Sequence, residues 1–90
     1  MLPSQFSLDQ NYPNPFNPVT AISYQLPERH FVVLDIFNMA GKKVSNLVGT
    51  HQDAGYYTLK FNASELPGGI YFYRLRAGSF VQTRKMLLIK

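Results

Sequence analysis

The sequence predicts an all-β fold, an immunoglobulin-like antiparallel β-sandwich of about seven strands. Three observations lead there. No stretch sustains a helical period. Apolar and polar residues alternate in short runs, the pattern of strands with one face buried. Turn residues interrupt those runs at intervals of about ten residues, the spacing of sandwiches and barrels.

The first eighteen residues form a proline-punctuated lead-in, and residues 19–90 form the sandwich proper. Pro13, Pro15 and Pro18 each fix φ and restrain the preceding residue, which gives an extended path without helix. Tyr12-Pro13 is a candidate cis bond. Phe6, Leu8, Tyr12 and Phe16 are too apolar for a free linker and are expected to pin the segment onto the domain. The asparagines around them suit turn and cap chemistry.

From Val19 the period is two. Ile22, Tyr24 and Leu26 alternate with Ala21, Ser23 and Gln25 until Pro27 stops the strand. Phe31–Phe37 follows, with Val32, Leu34 and Ile36 on one face and Asp35 on the other. Asn38-Met39-Ala40-Gly41 supplies a turn into a strand over Lys42–Val48, and Gly49–Gly55 reads as a polar loop. Tyr57, Leu59 and Phe61 then alternate with Tyr56, Thr58 and Lys60. Ala63–Gly69 is a turn segment with room for one helical turn at Ser64-Glu65-Leu66. Ile70–Arg76 and Ser79–Lys90 flank Ala77-Gly78, which predicts a closing hairpin. Gly41, Gly55, Gly69 and the prolines are read as fold-making.

Composition narrows function. Ninety residues make one domain with a small core and no room for a large enclosed cleft. No run approaches the ~20 apolar residues of a membrane helix, and the start lacks the apolar region of a signal peptide. Met1-Leu2 reads as the start of an excised domain. The absence of cysteine rules out disulfides and thiolate metal sites. The net charge of +4 is uneven: from Arg74 onward lie Arg74, Arg76, Arg84, Lys85 and Lys90, with no acid. Such an end could meet a nucleic acid, an anionic membrane or an acidic protein surface, while the plain reading is a solvated hairpin face. No nucleic-acid partner is expected.

Chemistry is sparse. His30 and His51 fall in predicted loops beside Glu28 and Asp53, without a positioned nucleophile or oxyanion site. Asp9, Asn11, Asn14 and Asn17 offer oxygens, but capping explains them better than calcium, so no metal or cofactor is expected. Gly68-Gly69 precedes a strand, not the helix of a phosphate loop. Asn62-Ala63-Ser64 matches a glycosylation sequon of a kind common by chance. Tyr56, Tyr57, Tyr71, Phe72 and Tyr73 crowd into two strands, where cross-strand pairing is favoured over a base- or sugar-stacking surface.

Several motifs together carry a resemblance. They are Asn11-Tyr12-Pro13-Asn14-Pro15-Phe16-Asn17-Pro18 before Thr20–Pro27, Val33-Leu34-Asp35-Ile36-Phe37-Asn38 with Gly41 and Val44, and Ala54-Gly55-Tyr56-Tyr57. Leu66-Pro67-Gly68-Gly69-Ile70-Tyr71-Phe72-Tyr73, Ala77-Gly78 and the terminal Lys85-Met86-Leu87-Leu88-Ile89-Lys90 complete the set. In this order and spacing the chain resembles the C-terminal sorting domain of cargo proteins of the type IX (Por) secretion system, type A. The resemblance implies a β-sandwich at the end of a secreted or surface protein. Such a domain is recognised at the outer membrane of Bacteroidetes-type bacteria, passed through the translocon and commonly removed by a sortase-like peptidase. Its partners would be the translocon, the outer-membrane shuttle and sortase proteins, and the cargo domain ahead of it. The family's motif positions carry over to Pro13, Pro15, Gly69, Tyr71, Gly78, Lys85 and Lys90, with Met86, Leu87, Leu88 and Ile89 inside the recognised signal.

Met86–Ile89 is apolar on both faces of its strand and is followed by Lys90. The expectation is that Phe80–Lys90 forms an accessible edge strand, which a translocon component pairs with or grips through its basic residues. A free edge also predicts pairing of two copies as a homodimer. The competing class is an immunoglobulin-like accessory or carbohydrate-binding module using exposed Tyr56, Tyr71 or Tyr73.

Overall fold

A computed structural model describes all 90 residues, Met1–Lys90. The alternating runs become strands β1 (Ser7–Leu8), β2 (Val19–Leu26), β3 (His30–Asn38), β4 (Lys43–Gln52), β5 (Gly55–Asn62), β6 (Gly69–Ala77) and β7 (Phe80–Leu88). All pairings between them are antiparallel. One sheet has the order β1-β2-β5 and the other β4-β3-β6-β7, packed face to face as an immunoglobulin-like sandwich.

The inward positions are those the alternation marks. Ile22, Tyr24 and Leu26 from one sheet meet Val32, Leu34, Ile36, Tyr71, Tyr73, Leu75, Met86 and Leu88 from the other. Each large apolar side chain so buried contributes roughly 1.5–3 kcal/mol. Tyr24 stacks on Tyr57 with centroids 5.3 Å apart. Tyr71 and Tyr73 are both in the core.

Two turns need glycine. Gly41 has φ of 81° in the β3–β4 turn, where the Asn38 Oδ1 accepts the N–H of both Ala40 and Lys42. Gly78 has φ of 60° in a two-residue loop between the paired Ala77 and Phe80. Positive φ at the first central position only is the geometry of a type II′ hairpin turn, which favours glycine there.

Four local expectations are corrected. Gly49–Gly55 is not a loop, because β4 runs on to Gln52 with Thr50, His51 and Gln52 opposite Val32, Phe31 and His30. An edge strand holds by its backbone, so polar side chains do not end it. His30 and His51 accordingly lie in strands; His51 meets Phe31 edge-on at 5.1 Å, and Asp53 is bound by Arg29 at 2.6 Å. Ser64-Glu65-Leu66 forms no helix but a turn closed by the Leu66 N–H to the Ala63 carbonyl. Tyr12 does not pin the lead-in, since the residue is 80 % exposed and only its backbone pairs, with Ala21. Asp35 lies on the outward face of β3 as expected, and is nonetheless buried, its Oδ1 accepting the Asn46 Nδ2 at 2.7 Å and its Oδ2 4.0 Å from the Lys43 Nζ.

Candidate functional site at the terminal strand

β7 is the last strand of its sheet, so one backbone edge has no strand partner. Pairing with β6 sets Gly69 opposite Leu88, Ile70 opposite Leu87, Tyr71 opposite Met86 and Phe72 opposite Lys85. The residues singled out from the terminus therefore meet Gly69 and Tyr71 at one corner of the sandwich. Gly78 is not there; it closes the hairpin at the far end. Gly55 is also remote, opposite Leu26, whereas the Gly41 turn follows Asn38, the partner of Tyr71.

Within the corner, the pleat divides the terminal residues. Met86 and Leu88 are buried, while Lys85, Leu87, Ile89 and Lys90 are exposed. The strand ends at Leu88. Lys90 is held back, its Nζ donating to the Ser64 carbonyl at 2.6 Å. Asn14, Ile70, Lys85, Met86 and Leu87 line an open depression of about 180 Å³.

The lead-in occupies part of the β7 edge. Leu87 N–H donates to the Asn14 Oδ1 at 3.0 Å, and the Leu87 carbonyl accepts the Phe16 N–H at 3.0 Å. Ile89 N–H donates to the Phe16 carbonyl at 2.9 Å, and the Lys85 carbonyl accepts the Gln10 Nε2 at 2.7 Å. Phe16 itself is buried, a further anchor for this strap. The bonds between Phe16 and the terminus make a parallel bridge to Leu88. The expected free edge over Phe80–Lys90 is thus closed from Lys85 to Ile89, and what stays open there is side chains. Pro13, Pro15 and Pro18 all follow cis peptide bonds and shape this strap.

A buried polar network fixes the strap to the core. The Tyr73 hydroxyl donates to the Asp9 carbonyl and accepts the Asn11 N–H, both at 2.7 Å. Asn11 is buried and donates through Nδ2 to the Thr20 Oγ1 at 3.0 Å and to the Pro13 carbonyl at 3.2 Å. Burial pushes the Tyr73 phenol up to about 12, against the lowering pull of the Asn11 N–H and Arg84. Burial likewise raises Tyr24, partly offset by its 2.6 Å bond to Gln52. Sequence reasoning missed Asn11, Asn14 and the Tyr73 hydroxyl as parts of the site. Their partners lie as far as 73 residues away, as with Asn14 and Leu87, and no local pattern announces such a pairing.

No cluster of three or more His, Cys, Asp or Glu residues is placed to hold a metal ion. No helix is long and apolar enough to cross a membrane. A family model described as "Secretion system C-terminal sorting domain" matches residues 10–90, nearly the whole chain. The chain belongs to that family. The sorting domain is a type IX secretion signal, which acts with that system on a cargo that precedes it and is secreted or surface-held. Its family is not a catalytic one. The matched span takes in the strap from Gln10 and the whole of β7, so both halves of the corner fall inside it. No curated protein and no solved structure matches the chain.

Proposed function

We propose that the sorting domain is read at the corner where β7 meets the lead-in, through the exposed row Lys85, Leu87, Ile89 and Lys90. One observation carries this reading. Met86 and Leu88 are sunk in the core while the strap bonds the intervening backbone, so the four side chains stand on a rigid base. A receptor then has little ordering entropy to overcome. The reading includes passage across the outer membrane of a Bacteroidetes-type cell, with an outer-membrane shuttle as the reader. A sortase-like peptidase then removes the domain from its cargo. The sugar-stacking alternative loses two of its three tyrosines, since Tyr71 and Tyr73 are buried.

The test fuses these residues behind a periplasm-directed fluorescent protein in a bacterium with a type IX system. Deleting Lys85–Lys90 would remove Met86 and Leu88 from the core and confound folding with recognition. Surface variants avoid that: Leu87→Asp with Ile89→Asp, and Lys85→Glu with Lys90→Glu. Surface and medium fluorescence is expected to fall at least about tenfold for each pair, a loss of about 1.4 kcal/mol or more in recognition, with circular dichroism unchanged. Folded variants that export normally would refute the reading.

A further inference from the structure

The strap stops partway along β7. Odd-numbered residues of this strand turn their backbone groups away from β6, as the bonds of Leu87 to Asn14 and Phe16 show. Upstream of the strap the same parity leaves the N–H of Lys85, and both N–H and carbonyl of Thr83 and Val81, with no partner in the protein. All three residues are exposed, Val81 at 56 %. A bare edge of this length is a template for one further strand.

Charge selects what lies on it. Lys85 is on the edge itself and Arg76 stands opposite Val81 on β6, while Arg84 turns to the inner face, its Nε donating to the Leu8 carbonyl, and Arg74 lies over the Phe37 ring of β3. The ion pairs of the protein are Arg29–Asp53, His30–Glu28 and Lys43–Asp35, so none of these four cations has a carboxylate within reach. The other long edges differ: β4 is broken by two register shifts, and β5 carries one cation, Lys60. Two copies paired along β7 would bring Lys85 and Arg76 of each, four like charges, toward one seam. A carboxylate-bearing strand would neutralise them.

We propose that Val81–Lys85 is a docking edge for an acidic, extended segment of a partner protein, which joins the four-stranded sheet beside β7. Main-chain bonds to Val81, Thr83 and Lys85 supply the register, and alternate carboxylates face Lys85 and Arg76. This site shares Lys85 with the side-chain row at the terminus and otherwise lies upstream of it, and its test uses the isolated chain, so failed export leaves it untouched.

The probe is a short fluorescent peptide alternating Glu with Val, compared with one alternating Lys with Val. Binding is followed by anisotropy and by amide resonances of the labelled protein. The acidic peptide is expected to bind at least about tenfold more tightly, weaken as salt rises, and shift and protect the amides of Val81, Thr83 and Lys85 while leaving Leu87 protected as before. Thr83→Pro removes an outward N–H, a change an edge strand tolerates, and should abolish binding with the melting transition retained. If that variant does not fold, Arg76→Glu with Lys85→Glu serves, and should invert the preference between peptides. Equal binding of both peptides, protection centred on another strand, or concentration-dependent protection of β7 without peptide would each overturn the proposal, the last by showing a second copy on the edge.

Discussion

Replacing Tyr73 with phenylalanine removes one oxygen and tests how the strap is held. The ring is fully buried, and its hydroxyl makes two bonds of 2.7 Å, from the Asn11 N–H and to the Asp9 carbonyl. Asp9 is exposed, so water replaces the lost donor there. Asn11 is buried, and its N–H is left without an acceptor. An orphaned buried donor costs about 1–3 kcal/mol, so Tyr73→Phe should destabilise the domain by about 2 kcal/mol. For a domain of this size that lowers the melting temperature by about 8–16 °C. Urea titration should show a lower midpoint with an unchanged slope. The loss should also be local: amide exchange at Leu87 and Ile89, whose N–H groups the strap accepts, should quicken more than at Leu34 in the central strand. A stability change under about 0.5 kcal/mol, with Leu87 and Ile89 exchanging as before, would refute the claim that this hydroxyl anchors the strap.

Two more predictions concern pH and the hairpin turn. The Tyr73 phenol is raised from 10.0 to about 12 in the folded state, so between those values the native protein binds the proton more strongly than the unfolded chain. Its contribution is complete below pH 10 and is lost as pH rises toward 12; Tyr24, also raised, acts in the same direction. Urea midpoints measured across that window should fall, and fall less steeply in Tyr73→Phe; a flat profile would count against the assignment. Gly78→Ala places a Cβ 2.8 Å from the His30 ring on a backbone with φ of 60°. The expected cost is about 1–3 kcal/mol, read by thermal melting, and a variant as stable as the parent would show that the turn rearranges freely.

The strands were legible because a half-buried strand writes its two faces into alternating residues. Ile22, Tyr24 and Leu26 could be assigned to the core on that ground, whereas for Tyr71 and Tyr73 alternation gave a shared face but not that it is the inner one. Alternation says which face a residue takes, not what it bonds. Asn11 and Asn14 read as turn formers, and they do bond backbone, but the decisive partners come from β6 and β7 at the other end of the chain. Asp35 was correctly placed on an outward face, yet Asn46 and Lys43 cover it, since neighbouring strands can bury an outward position. The candidate site was therefore half visible. Its residues could be named from Gly69 to Lys90, while the strap that closes their edge depends on long-range hydrogen bonds without a sequence period.

The parallel bridge between Phe16 and Leu88 has a mechanical consequence. Cargo ahead of the domain would pull from the amino-terminal side of Phe16, and a receptor gripping the terminus, as proposed, would pull from the carboxyl side of Leu88. Because the two segments run the same way, these forces slide one past the other instead of peeling them apart. The Phe16 N–H bond to Leu87 and the Ile89 N–H bond to Phe16 then bear the tension together, where a zipper would yield them one by one. The parallel bridge clamps the domain against traction between its amino-terminal lead-in and its carboxyl terminus.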